Sequence, residues 1–305
     1  MKPLRLQSVN VKVPWAGDRL SKLRGLEKGI GIVREVCAYK NSENKIVNAE
    51  YEGMNLRDLI STQYDKLMGD DTSNQMIRAA YIDANEDLSI QVHPYEEYAK
   101  KVEGDFGKSE SWYVLECDEN AKVIAGCNID NINILREAAE NGSIEEYLEA
   151  VQINVGDFIY IPAGIIHACG KGSLVIEIGS FGGITYRMYD YNRGRELHHD
   201  KGLQVLDTSL RASKKSFPID KRKNNIINKG VESEEFTVDV IDTIDLQKIV
   251  KENKYHILTC VLNKCNIIIN EEKYPLEYTE TLVIPAEIKE YEIEGDCRVL
   301  CSYRP

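Results

Sequence analysis

Four polar side chains are spaced so that they can converge. Gln91 and His93 stand two residues apart at the end of Leu88-Ser89-Ile90-Gln91-Val92-His93. An extended backbone sends alternate side chains to one face, so the two point the same way. Glu110 lies just ahead of Trp112-Tyr113-Val114-Leu115, and His167 lies just ahead of the β-rich run at 173–178. Two imidazoles and a carboxylate on separate strands can hold Zn²⁺ with one or more open positions. The same set can hold Fe²⁺ as a facial triad. Spacing does not choose between the two metals.

The setting of His167 is the most specific signal. Residues 156–167 read Gly-Asp-Phe-Ile-Tyr-Ile-Pro-Ala-Gly-Ile-Ile-His. Asp157 suits a turn, residues 158–161 make a short β-run, and Pro162 and Gly164 break it. Such a turn can aim the imidazole into the mouth of a barrel. The Gly, Pro, Gly and His positions resemble the second sequence motif of the cupin superfamily, which carries a metal ligand.

The elements that must position these groups read mostly as strands. β-like runs fall at 30–33, 36–39, within 76–92, at 111–116, within 155–178 and at 184–189. Helical spacing occurs at 55–68, where Leu56, Leu59, Ile60, Tyr64 and Leu67 share a face and Asn55 is placed to cap. It recurs at 95–100 behind Pro94, over 129–152 and at 203–210. Residues 212–225 are basic and polar and read as a solvated linker rather than an anion site. Beyond 226 the chain is strand-like, at 236–241, 256–262, 267–269, 281–284 and 298–302. There Ile284-Pro285-Ala286-Glu287-Ile288-Lys289-Glu290 echoes Ile161-Pro162-Ala163-Gly164-Ile165-Ile166-His167, with glutamates in place of the glycine and the histidine. The expected fold is mainly β with helical insertions, in two cupin-type jelly-roll modules. Residues 1–210 would form the metal-binding module, 211–225 a linker, and 226–305 a degenerate module without a metal.

Composition excludes several classes. The chain has 305 residues, 43% of them hydrophobic and 29% charged, enough for one large core or two smaller ones. A net charge of −12 argues against general nucleic-acid or membrane binding, and an anionic substrate would need a local basic pocket. No apolar run approaches the roughly 20 residues of a membrane span. The opening Met-Lys-Pro-Leu-Arg-Leu-Gln-Ser lacks the apolar core of a secretion signal. Eight cysteines occur without a C-x-x-C pair, which points to free thiols in a reducing, cytoplasmic setting.

Four ordered blocks carry a closer resemblance. They are Asp83-Ala84-Asn85-Glu86-Asp87-Leu88-Ser89-Ile90-Gln91-Val92-His93-Pro94, then Gly107-Lys108-Ser109-Glu110-Ser111-Trp112-Tyr113, then residues 161–168, then Thr185-Tyr186-Arg187-Met188-Tyr189-Asp190-Tyr191. Together they resemble the type I phosphomannose isomerases, and the tail resembles the C-terminal cupin of the short bacterial members. The likeness runs from about residue 76 to the end, more faintly before. It implies an aldose–ketose isomerase that interconverts mannose 6-phosphate and fructose 6-phosphate through an enediol. It implies one Zn²⁺ per chain on His93, Glu110 and His167, with Arg187 as the active-site arginine.

In the same reading Lys108 matches a lysine beside the glutamate ligand. Gln91 matches a position that is a ligand in some members, and a hydrogen-bonding role is the other reading. Lys108, Gln91 and Glu177 would meet the substrate. Glu177 and a metal-bound water are the two candidates for the proton-shuttling base. The expected partner is a small sugar phosphate, with no nucleic acid or membrane, in a monomer or homodimer.

Two departures bear on the pocket. Members usually carry Gln-Gln-x-Ser-Asp where this chain has Gly179-Ser180-Phe181-Gly182-Gly183, and a lysine where it has Ala80. These changes would remodel one wall. They keep open a non-catalytic or substrate-shifted sugar-binding metal cupin. The ligand set by itself also allows a non-haem iron oxygenase.

Overall fold

The computed structural model describes residues 1–305, the side chain of Ala49 aside. The fold is mainly β. The chain divides into two compact units. One comprises Asn10–Val33 and Ala80–Phe217, and the other Met1–Val9, Arg34–Ala79 and Pro218–Pro305. This division differs from boundaries at 210 and 226, because residues 1–9 and 34–79 group with the C-terminal strands.

The first unit is built on two sheets. A seven-stranded sheet runs in the order Ser213–Ser216, Asp157–Ile161, Glu110–Cys117, Ser173–Gly179, Arg78–Ala84, Ile30–Val36 and Val9–Lys12. A five-stranded sheet runs Tyr186–Tyr189, Ile90–Val92, Ile166–Ala168, Lys122–Cys127 and Leu148–Gln152. Trp112, Val114, Ile159, Ile161 and Val175 from the first share one buried core with Val123 and Ala125 from the second. Burying such side chains stabilises the unit by about 1.5–3 kcal/mol each. The other face of the five-stranded sheet, with Ile90, Val92, Ile166 and Met188, is covered by Leu135, Ala138, Leu203 and Val205 from two helices. Strand alternation then turns Gln91 and His167 toward the space between the sheets.

The C-terminal unit repeats the two-layer plan. A five-stranded sheet runs Ile226–Glu232, Thr237–Thr243, Cys297–Tyr303, His256–Leu262 and Thr281–Ile284. A four-stranded sheet runs Leu246–Val250, Glu290–Glu294, Cys265–Ile269 and Glu272–Leu276. Leu258, Cys260, Leu282 and Val299 from one meet Ile267, Leu276, Tyr291 and Ile293 from the other in a second core.

Several local readings change. The helical stretch at 129–152 is a helix only over Ile132–Asn141. Asn131 starts it by accepting from Asn133 N and Ile134 N at 3.1 and 3.2 Å, and left-handed Gly142 (φ 83°) ends it. After a short 3₁₀ turn, Leu148–Gln152 is an edge strand on Lys122–Cys127. Residues 55–68 form two helices, Leu56–Thr62 and Tyr64–Leu67, split where Gln63 leaves the helical region, and Asn55 makes no side-chain cap. The turn behind Pro94 is Glu96–Tyr98, continued as a π-turn over Ala99–Glu103. The helix placed at 203–210 lies earlier, at His199–Val205. Inside the basic stretch 212–225, Ser213–Ser216 pairs with Asp157–Ile161, and Ser216 Oγ donates to Asp157 Oδ1 at 2.6 Å. All four of its side chains are exposed, so no apolar alternation marked it as a strand.

Candidate metal centre and active site

Each candidate ligand is aimed by the element that carries it. His167 sits in the short strand Ile166–Ala168, bonded on one side to Gln91 and on the other to Ala125. Glu110 opens the strand Glu110–Cys117 and faces Ile161 on one neighbour and Gly179 on the other. His93 follows the strand Ile90–Val92, and its carbonyl accepts the Gly164 N–H at 2.9 Å, tying it to the Pro-Ala-Gly turn. Gly164 has φ 88°, a left-handed conformation that favours glycine.

Ligand-type atoms of His93, Glu110 and His167 lie within 4.8 Å of one another. His93 Nε2 is 3.3 Å from Glu110 Oε2, and His167 Nε2 is 3.4 Å from Glu110 Oε1. All three side chains are 1% exposed, so water is nearly excluded. His93 Nδ1 donates to the Ile184 carbonyl at 2.8 Å and His167 Nδ1 to the Ile165 carbonyl at 3.0 Å. A carbonyl only accepts, which fixes the proton on Nδ1 and leaves both Nε2 lone pairs facing inward. Neither Glu110 oxygen accepts a well-aligned hydrogen bond, although both are buried. A buried carboxylate is costly unless cations serve it, and the Lys108 ammonium serves it at Oε2. This donor set fits a divalent metal with open positions.

Electrostatics place the ligands in the required protonation states. Burial drives His93 down to about 4, aided by the Lys108 charge and opposed by Glu110. Burial also lowers His167, again against Glu110. For Glu110 burial acts upward, but the Lys108 ammonium and His93 outweigh it and hold the carboxyl well below its usual range. Two neutral imidazoles and one carboxylate therefore face one another at neutral pH.

Lys108, Gln91 and Glu177 join the cluster. Lys108 Nζ is 3.3 Å from His93 Nε2 and 3.0 Å from Glu177 Oε1, and it pairs with Glu110 Oε2. Lys108 is 8% exposed, so it is not a free surface lysine. Gln91 Nε2 lies 3.3 Å from His167 Nε2 and 3.5 Å from His93 Nε2. Glu177 stands opposite Trp112 in the seven-stranded sheet. Trp112 packs edge-on against the His167 ring with centroids 5.9 Å apart.

Arg187 is placed by register. It stands opposite Gln91, on the row that continues through His167. Its Nη1 donates to the Glu196 carbonyl at 2.9 Å and its backbone N–H to His198 Nδ1 at 3.2 Å. Its Nε is buried without a hydrogen-bond partner. Ala80 shares a strand face with Ile82 and Ala84, which line the core of the unit. The segment from Gly179 to Gly183 folds back on the Lys108 segment. Ser180 N donates to Ser109 O at 2.9 Å, Ser109 N to Ser180 Oγ at 3.0 Å and Gly182 N to Gly107 O at 3.1 Å.

Sequence reading did not find the Ile165 and Ile184 carbonyls that orient the imidazoles, nor Glu196 and His198 behind Arg187. A backbone carbonyl leaves no residue-type signal. Among the described residues no helix is long and apolar enough to cross a membrane.

A cupin-type fold holding a buried His-Glu-His cluster defines a metal-site cupin. The chain is similar to known proteins along its whole length. Residues 226–304 match the family described as mannose-6-phosphate isomerase, cupin domain. The mannose-6-phosphate isomerase of Streptococcus mutans is 30% identical over 314 residues, covering 99% of this chain and 98% of that protein. Mannose-6-phosphate isomerase ManA of Bacillus subtilis is 28% identical over 88% of this chain and 87% of that protein. The crystal structure of a Bacillus subtilis mannose 6-phosphate isomerase superposes with a TM-score of 0.89 at 27% identity, covering 99% of each chain. The chain belongs to the type I mannose-6-phosphate isomerase family of cupin fold, and it is an aldose–ketose isomerase.

Proposed function

We propose that this chain interconverts mannose 6-phosphate and fructose 6-phosphate, using one Zn²⁺ held by His93, Glu110 and His167. One observation carries the reading: two inward Nε2 lone pairs and the buried Glu110 carboxylate converge, beside the Lys108 ammonium that pairs with it. Isomerisation is redox-neutral, so it needs a Lewis acid and not a metal that changes oxidation state. This favours zinc over iron for the same ligands. One ion per chain follows from a single such cluster among the described residues. Residues 226–305 are then a second cupin module without a metal, fed by the stretch 211–225.

The reaction moves the carbonyl from C1 to C2. A proton leaves C2 of the aldose, an enediol forms, and a proton returns to C1, while the C2 hydroxyl oxygen gives up its proton and the C1 oxygen takes one. Zinc, when bound, polarises the sugar carbonyl and offsets the charge that develops on its oxygen. Glu177, kept beside Lys108 at 3.0 Å, is this chain's candidate for carrying the proton between carbons. Lys108 donates to the oxygen that becomes anionic, while Gln91 orients the sugar hydroxyls. Arg187 binds the phosphate or the enediolate with a fork that stays charged.

A second reading is favoured by the wall at Ala80 and 179–183, where the chain departs from the pattern it otherwise resembles. It is a site shifted to another sugar phosphate. The test is a coupled assay of zinc-loaded protein on mannose 6-phosphate beside a panel of aldose and ketose phosphates. Turnover of mannose 6-phosphate that disappears with chelation and returns with zinc is expected. Turnover of another sugar phosphate alone supports the shifted site. Zinc binding with no turnover of any of them overturns the isomerase mechanism.

A further inference from the structure

We propose that His198 is a positioning residue for the reaction, holding the backbone of Arg187 so that its guanidinium meets the substrate only while the imidazole is neutral. This rests on Arg187 meeting phosphate or enediolate, as argued above. The strand Tyr186–Tyr189 is the outermost of the five-stranded sheet and pairs only with Ile90–Val92. The free edge of such a strand carries backbone groups that must be satisfied elsewhere. At Arg187 one residue takes both. His198 N donates to the Arg187 carbonyl at 2.7 Å, and Arg187 N donates to His198 Nδ1 at 3.2 Å. A ring nitrogen thus stands where a neighbouring strand would place a carbonyl.

The same segment holds the side chain. Arg187 Nη1 donates to the Glu196 carbonyl at 2.9 Å, two residues before His198. The register sets Arg187 opposite Gln91, whose Nε2 lies 3.3 Å from His167 Nε2. A shift of this backbone therefore moves the guanidinium relative to the metal ligands. The clasp is itself anchored. The His198 carbonyl accepts from Gly202 N at 2.8 Å as the helix His199–Val205 begins, and His199 Nε2 donates to the Met188 carbonyl at 2.9 Å. Gly202 packs so closely on Met188 Sδ that a Cβ there would not fit.

Accepting at Nδ1 puts the single proton of the neutral ring on Nε2, which faces Glu196 Oε2 at 3.9 Å. A second proton has only Nδ1 to go to, where it would confront the Arg187 N–H. Two donors then face each other, and the backbone group loses its partner. The charges around the ring decide when this happens. Glu196 from its own segment and Glu103 from the π-turn favour the cation, while Arg187 from the strand and Lys201 from the helix oppose it. Glu103 is already engaged by Tyr186 Oη at 2.7 Å and Lys201 Nζ at 2.6 Å, and the Tyr186 ring lies 6.2 Å from the imidazole. Burial acts most strongly and holds His198 below its usual 6.5. The ring is thus neutral and holds Arg187 above that pH, and it lets go as the pH falls below it.

Mannose 6-phosphate isomerisation by the full-length, zinc-loaded protein, followed from pH 8 to 5 by direct product quantification, tests this. His198→Phe keeps the ring and removes the acceptor. His198→Asn sets Oδ1 where Nδ1 stands and does not titrate. At pH 8 the Phe variant should lower kcat/KM about tenfold with zinc content and melting temperature near normal, and the Asn variant should recover most of that loss. Below pH 6.5 the ratio of kcat/KM in the unaltered protein to that in the Asn variant should fall, with a slope approaching one proton. The metal ligands and the substrate phosphate titrate in both proteins and cancel in that ratio. A ratio that stays constant over the whole range overturns the proposal, as does an Asn variant no better than the Phe variant at pH 8. Impaired turnover in Arg187→Ala beside such a result overturns the role of His198 alone. Normal turnover in Arg187→Ala, or none in the unaltered protein, overturns the reading beneath the proposal and the proposal with it.

Discussion

Arg187 separates a charged surface residue from a group that handles charge in the reaction. Its guanidinium is anchored on one side by the Glu196 carbonyl, and its Nε is buried without a hydrogen-bond partner. Burial, and then the neighbouring Arg195, lower its pKa, but a guanidinium remains charged. A carboxylate-paired surface arginine would contribute about 0–1 kcal/mol to stability and nothing to turnover. An arginine that meets phosphate or enediolate should matter far more, because losing one charge-stabilising donor costs roughly 2.7–4 kcal/mol of barrier. Arg187→Ala is therefore expected to lower kcat/KM by about a hundredfold or more while zinc content and melting temperature stay near normal. Arg187→Lys should recover only part, since it keeps the charge and loses the planar fork. Steady-state kinetics with metal analysis on both variants checks this, and near-normal turnover in Arg187→Ala would move the residue to the surface. At this scale the sequence was highly legible. His93, Glu110, His167 and Gln91 were named from type and spacing, Lys108 from the family resemblance and Glu177 as a candidate base, and they meet. What orients them was not, because the Ile165 and Ile184 carbonyls look like any other backbone.

The segment between the strand Ser173–Gly179 and the strand Tyr186–Tyr189 shows how an element can alter a site without touching its ligands. Gly179 faces Glu110 across the sheet, and a Cβ there would meet Ser109 O at 2.8 Å and Glu110 Cβ at 3.1 Å. The segment thus packs its backbone closely against the segment bearing Lys108 and Glu110. Phe181 closes the packing on Phe106, edge to face at 5.6 Å. Gly179→Ala should destabilise the protein by about 1–3 kcal/mol through overpacking. It should also displace Glu110, so that zinc is lost to a competing chelator at several-fold lower chelator concentration than in the unaltered protein. Unchanged chelator competition would show that the glycine serves packing alone. Elements were legible where short apolar runs were nearly continuous, as in 256–262 and 281–284, which match strands residue for residue. One was missed where an edge strand carries only exposed polar side chains, Ser213–Ser216. There pairing with a neighbour, not burial, makes the strand.

At the scale of the whole chain, each unit closes its interior differently, and the second does so around the buried His256. The echo of the Ile-Pro-Ala turn leads to Glu290, which is exposed, and the next residue, Tyr291, turns inward instead. Its hydroxyl lies 2.9 Å from His256 Nδ1, and Cys301 Sγ lies 3.2 Å from the same nitrogen. His256 is 8% exposed and stacks on Tyr303 with centroids 5.0 Å apart. Lys251, Lys254 and Lys229 also face it. Burial chiefly, and then these lysines, push His256 down to about 3. The imidazole is thus neutral and hydrogen-bonded in the folded unit at any pH above that. In the unfolded chain it takes up a proton near its usual 6.5. Between pH 6.5 and 3 the unfolded state therefore binds the extra proton, and stability is lost as pH falls through that window. One such group contributes a slope of at most about 1.4 kcal/mol per pH unit. His256→Gln keeps a neutral hydrogen-bonding group and removes the titration. Its unfolding free energy, followed by urea melts from pH 6.5 to 4, should fall less steeply than that of the unaltered protein, by up to the equivalent of one proton. His93 and His167 titrate in both proteins and cancel in the comparison. An identical slope in the two proteins would mean that His256 becomes protonated in the folded unit with little penalty, and that the Tyr291–His256–Cys301 contact opens to water as the pH drops.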